Sequence, residues 1–175
     1  TVDSVTVTPS PIYNDTVVSC NGVVSDPDET VTPSVEWFVA GQSVGTGSSI
    51  DLATTAAIPG DTVDCVMSVS DSNGGSDSVT ESATVQNRAP IVSSVSISPS
   101  TGVDSSTLLT CSYSATDADG TTPIPSYSWM NLSTNTSFSS TSSTLQLDPS
   151  ISEPSNIIEC TVTVSDTDGG SDSDS

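Results

Sequence analysis

The side chains of this chain that could do chemistry are almost all carboxylates, and they recur at one spacing. Asp26-Pro27-Asp28, Asp71-Ser72-Asn73, Asp117-Ala118-Asp119 and Asp166-Thr167-Asp168 each place two oxygen-bearing side chains two residues apart. Carboxylate and amide oxygens converging from two loops suit a hard cation such as Ca²⁺, which takes about 6 to 8 oxygen ligands. On that reading Asp26, Asp28, Asp71 and Asn73 form one candidate ligand set, and Asp117, Asp119, Asp166 and Asp168 a second. Each motif is incomplete against the full twelve-residue calcium loop, and plain solvated turns account for the same residues. Catalysis has less to work with. There is no His and no Lys, so no nucleophile has a conventional base beside it. A two-carboxylate glycosidase would need a cleft that the sequence does not locate. No catalytic residue is assigned, and the chain is expected not to be an enzyme.

The loops must be held by strands. Cys20, Trp37 and Cys65 in the first half answer to Cys111, Trp129 and Cys160 in the second, with Cys-to-Trp spacings of 17 and 18 and Trp-to-Cys spacings of 28 and 31. Two Cys flanking one Trp at such intervals is how an immunoglobulin-like sandwich pins its sheets, with the Trp packed on the disulfide. The fold class is therefore all-β, two tandem immunoglobulin-like β-sandwiches, each with one inter-sheet disulfide and Trp37 or Trp129 in its core. Period-two alternation supports the strands: Val63, Cys65, Met67 and Val69 match Ile158, Cys160, Val162 and Val164, all expected to face inward. After them come Asn73-Gly74 and Asp168-Gly169, strong hairpin signals. The domains are read as 1–87 and 91–175, joined by a short linker at 88–90. The last strand of the second domain is expected to be missing, or supplied from elsewhere. Arg88, in the Asn87-Arg88-Ala89-Pro90 connector, is placed at the interdomain contact, with Asp117 or Asp168 as its partner.

Composition narrows the partners. The chain carries 22 acidic residues against a single Arg88, a net charge of −21. Such a surface repels phosphate backbones and anionic headgroups, which excludes nucleic acid. No stretch approaches the ~20 apolar residues of a membrane-spanning helix, so no membrane insertion is expected. The disulfides persist only in an oxidising compartment, pointing to an extracellular or cell-surface location. Without His or a CxxC pair, zinc lacks its usual ligands. The 38 Ser and 25 Thr make the outward strand faces hydroxyl-rich. Sequons stand at Asn14, Asn131 and Asn135, and the polar run 131–143 is the favoured place for covalent glycans.

With Val95-Ser96-Ile97-Ser98-Pro99, Tyr127-Ser128-Trp129, Asp117-Ala118-Asp119-Gly120 and Asp166-Thr167-Asp168-Gly169-Gly170 laid out, the chain resembles the tandem immunoglobulin-like, PKD-type repeats of secreted and surface proteins of bacteria and archaea. An antibody-type domain would place Tyr two residues before the second Cys, where Val63 and Ile158 stand. The resemblance implies stalks, adhesins and extracellular fibres, often glycosylated. The expected function is a structural subunit or repeat segment of such a glycosylated fibre or stalk, partnered by copies of itself or further repeats, with no cofactor required. The alternative is a Ca²⁺-dependent adhesin module gripping a carbohydrate or protein receptor.

Overall fold

Each half of the chain forms seven strands, the central ones carrying apolar residues in alternation. The computed structural model describes residues 1–175 and divides them into two units, Thr1–Asn87 and Arg88–Ser175. Unit one runs β1 (Val2–Thr8), β2 (Val17–Val24), β3 (Ser34–Val39), β4 (Gln42–Thr46), β5 (Ser49–Asp51), a 3₁₀ turn at Leu52–Thr54, β6 (Thr62–Ser70) and β7 (Ser76–Thr84). Unit two repeats the order as β8 (Ile91–Ser98), β9 (Leu108–Thr116), β10 (Ile124–Asn131), β11 (Thr136–Ser137), β12 (Thr144–Gln146), β13 (Ile158–Ser165) and β14 (Ser171–Asp174).

Each unit holds a three-stranded and a four-stranded sheet. The orders are β1-β2-β5 with β4-β3-β6-β7, and β8-β9-β12 with β11-β10-β13-β14. All named strand pairs are antiparallel. Cys20 of β2 bonds Cys65 of β6, and Cys111 of β9 bonds Cys160 of β13, with Cα–Cα distances of 6.2 and 6.3 Å. The bridges therefore cross from one sheet to the other, as the Cys-Trp-Cys spacing predicts. Trp37 lies opposite Cys65 and Trp129 opposite Cys160 in the strand register. Both indoles are fully buried. Each donates its Nε1–H over 2.9 Å to a backbone carbonyl, Gly47 or Ser142, so neither buried donor is orphaned.

The alternation read from the strand through the second Cys is the burial pattern found. Val63, Cys65, Met67 and Val69 are all buried, as are Cys160, Val162 and Val164, while Ile158 is half-buried. The two cores solve one packing problem differently. At Gly22 a Cβ would stand 2.5 Å from both Met67 Sδ and the Ser4 carbonyl, so only glycine fits beneath that methionine. Unit two moves the bulk to the facing strand. Tyr113 stands where Gly22 does, Val162 where Met67 does, and the Tyr113 ring meets Tyr127 edge-on at 6.2 Å.

Two expectations change. The final strand of unit two does form: Ser171–Asp174 pairs with Val162–Ser165. It is shorter than β7, which pairs along the whole of β6. In unit one the chain beyond β7 brings Val85 against Ile12, both 1 % exposed. Val103, at the position matching Ile12, remains 43 % exposed. The residues read as a linker also belong to unit two. Pro90 is fully buried there, and Ala89 packs so close to Gly170 that a Cβ on that glycine would meet Ala89 Cα at 2.7 Å.

Candidate functional site

The first aspartate of every repeated acidic motif holds the backbone of its own turn. Asp26 Oδ1 accepts from the amides of Asp28 and Glu29 at 2.9 and 3.1 Å. Asp71 Oδ1 accepts from Asn73 and Gly75, both at 2.8 Å. Asp117 accepts from the Asp119 amide and the Thr121 hydroxyl, both at 2.7 Å. Asp166 accepts from Asp168 and Gly170 at 2.9 and 2.7 Å. A short acidic side chain that bonds the amide two residues on is a turn-forming device, and a carboxylate does it with charge-assisted bonds. The glycines follow from it. A Cβ at Gly75 or Gly170 would fall within 2.3 or 2.4 Å of the capping carboxylate, and Gly74 and Gly169 take φ of 92° and 94° to complete the turn.

A second pair of carboxylates pins the sandwich. Asp77 Oδ2 accepts the Val2 amide at 2.8 Å, and Asp172 Oδ2 accepts the Val92 amide at 2.9 Å. Each bond ties the first strand of its unit to the last. Sequence reasoning does not single out either acid for that role. The available signal was the identical run Gly-Gly-Ser-Asp-Ser at 74–78 and 169–173.

The candidate calcium sets are therefore dispersed. Asp26, Asp71 and Asp77 line a crevice in unit one, but oxygens of all three bind backbone amides, and no group of three or more acidic side chains in the chain is close enough to hold an ion. Asp28, Asn73 and Asp168 give their turns a backbone amide, with the side chains left outward. Asp119 does something else. Its side chain is fully buried, and it receives Arg88 Nε at 2.8 Å, Arg88 Nη2 at 2.7 Å and the Arg88 backbone amide at 2.5 Å. Arg88 Nη2 also donates to the Ala118 carbonyl at 3.1 Å. The cation thus pairs with Asp119 rather than Asp117 or Asp168, and the pair lies inside unit two.

Turn capping makes a prediction of its own. Asp71→Ala and Asp166→Ala each strip the acceptor from two turn amides and should cost about 2 kcal/mol in chemical denaturation. Asp28→Ala and Asp168→Ala should stay within about 0.5 kcal/mol of the parent. Equal losses from both kinds of position would contradict the capping role. Turns of the same kind hold Asp104 and Asp148 below the ordinary aspartate value of 3.8 through hydrogen bonds from the Ser106 and Ser150 side chains, and on β1 the Thr1 and Ser25 hydroxyls lower Asp3 in the same way. Because the folded values are lowered, their stabilisation is complete above the unfolded value and disappears as pH falls through the folded one.

The sequons separate cleanly. Asn131 is 1 % exposed, and its amide is engaged with Asn156 and with the Ser133 and Thr134 amides, so a glycan there is incompatible with this fold. Asn135 is exposed, at φ 54°, in the turn between β10 and β11. Asn14 is half-buried.

No protein-family model and no curated protein sequence matches the chain. Among solved structures, a Bacteroides ovatus protein of a mixed-linkage glucan utilization locus, SGBP-B in complex with a mixed-linkage heptasaccharide, is similar at 15 % identity and a TM-score of 0.27. The match covers 91 % of this chain and 60 % of that one, so the chain spans about three fifths of its length. A superposition that loose aligns no side chain with another and transfers no ligand.

Proposed function

We propose that the chain is a structural repeat segment of an extracellular, glycan-coated surface fibre or stalk. The observation that carries this reading is the division of labour among its side chains. The repeated acids shape turns or pin strands, and the four Cys staple sheets. Hydroxyls make up much of what faces outward on two strands. Along β7, Ser76, Ser78, Thr80, Ser82 and Thr84 are all exposed, and along β9 so are Thr110, Ser112, Ser114 and Thr116. These ladders are acceptors for O-linked sugars, and they keep the flanking sheet surfaces solvated. Structural disulfides require an oxidising compartment, and no helix is long and apolar enough to cross a membrane. The calcium-adhesin alternative has no set of converging ligands to rest on.

Mass spectrometry of material from the native source tests the proposal. Intact masses above that of the bare chain in sugar-residue steps, with glycopeptides mapping to the β7 and β9 ladders, are expected. A single unmodified mass overturns the glycan coat, and recovery of the native protein only as a free monomer overturns the fibre.

A further inference from the structure

The segments that lengthen in the second copy enclose a groove of about 1030 Å³ in unit two. It lies among the β10–β11 turn, the β11–β12 connection and the loop between β12 and β13. We propose that this groove binds a neutral oligosaccharide. Nothing in the structural role outlined above requires such a site.

The groove is built on a satisfied polar network. Buried Asn131 accepts the Ser133 and Thr134 amides through Oδ1 and donates Nδ2 to Asn156 Oδ1 at 2.8 Å. The Glu153 amide donates to that same Asn156 oxygen at 2.9 Å. The orientation of the Asn156 amide is thereby set, leaving its Nδ2 without a protein acceptor on the groove wall. Opposite in kind is Asp148, whose Oδ1 takes the amide and hydroxyl of Ser150, leaving Oδ2 to accept from a ligand. Half-buried Phe138 packs on the core cluster and, with Ile151 at 39 % exposure, supplies apolar surface within the same groove.

Fixed donors and acceptors around an aromatic surface are the features that orient a small ligand. Sugar hydroxyls both donate and accept, so a chain of them can answer a donor such as Asn156 Nδ2 and an acceptor such as Asp148 Oδ2 within one groove, with a pyranose face against Phe138. Anionic ligands are excluded. The groove has no cation, and the chain's only one, Arg88, is bound to Asp119. A purely cationic ligand such as a basic peptide would satisfy the carboxylates and leave the Asn156 donor opposed.

Two-dimensional amide NMR of the whole chain, titrated separately with cellohexaose, maltohexaose and pentalysine, tests the site. At least one hexaose should give saturable shifts confined to residues 131–156, with a dissociation constant on the order of 1 mM or tighter. Asn156→Asp keeps the Oδ1 acceptor, removes the donor, and should weaken that binding about tenfold or more while the remaining spectrum stays folded. Phe138→Ala should weaken it as well. If Phe138→Ala disturbs the fold, Asn156→Asp decides alone. Saturation by pentalysine with no response to either hexaose overturns the proposal, as does a flat response to all three or full binding by Asn156→Asp.

Discussion

Replacing Cys111 and Cys160 together by Ala should unfold unit two while unit one keeps its native spectrum; the reciprocal replacement of Cys20 and Cys65 should leave unit one weakened but folded. Each bridge closes a long loop, 45 residues in unit one and 49 in unit two, and restricting the denatured chain to that extent is worth about 4 kcal/mol. The loss is similar; the reserves are not. The core cluster of unit one holds fourteen buried residues, among them Ile12, Leu52, Ala57 and Val85, whereas that of unit two holds nine. A domain of about 90 residues is only marginally stable to begin with, so the same loss carries unit two past its threshold first. Chemical denaturation followed separately by Trp37 and Trp129 fluorescence, each in the Phe variant of the other, reads the two transitions. Unit one unfolding first in the matched variants would refute this ranking.

Arg88→Ala should destabilise unit two by about 3 kcal/mol, because it leaves the fully buried Asp119 carboxylate without its cation. Arg88→Lys keeps the charge but loses the forked guanidinium contact through Nε and Nη2 and the reach to Ala118, so it should recover only part of that loss. Asp119→Ala is expected to be milder than Arg88→Ala, since Arg88 is 26 % exposed and can turn to water. Added salt should change the wild-type melting temperature little through this pair, because a buried ion pair is weakly screened. Equal stability of Arg88→Ala and wild type in urea denaturation would show that the pair contributes nothing net.

Strand periodicity and the Cys-Trp-Cys spacing make most of the fold legible in the sequence. Val63 to Val69 and Cys160 to Val164 are buried in alternation because one face of each strand must meet the opposite sheet. Trp37 and Trp129 sit against the bridges for the same reason. The acidic turns were legible as turns, and their chemistry was not. An aspartate that binds an ion and one that binds amides two and four residues on carry the same letters, and only the direction of the oxygens separates them. Arg88 found Asp119 instead of Asp117 because Asp117 was already capping the turn that carries Asp119. Asn131 reads as a sequon, yet its place at the buried end of β10 turns the amide inward. The groove of unit two was hidden in 131–156, where polar residues without a period give no indication of which ones face one another. The final strand of unit two was underestimated. Four of its residues pair with β13, and Asp172 also reaches across to the Val92 amide.

The disulfide topology sets how far each unit can be stretched. Under tension applied at its two ends, a unit can pay out only the chain lying before its first Cys and after its second, because the covalent link carries the load directly from β2 to β6, or from β9 to β13. The Asp77 and Asp172 bonds stand astride the first and last strands, where such a load enters. Rupture of these bonds would therefore precede any lengthening. Past that point the molecule behaves as a short-travel, self-limiting spring whose stapled centre stays shut.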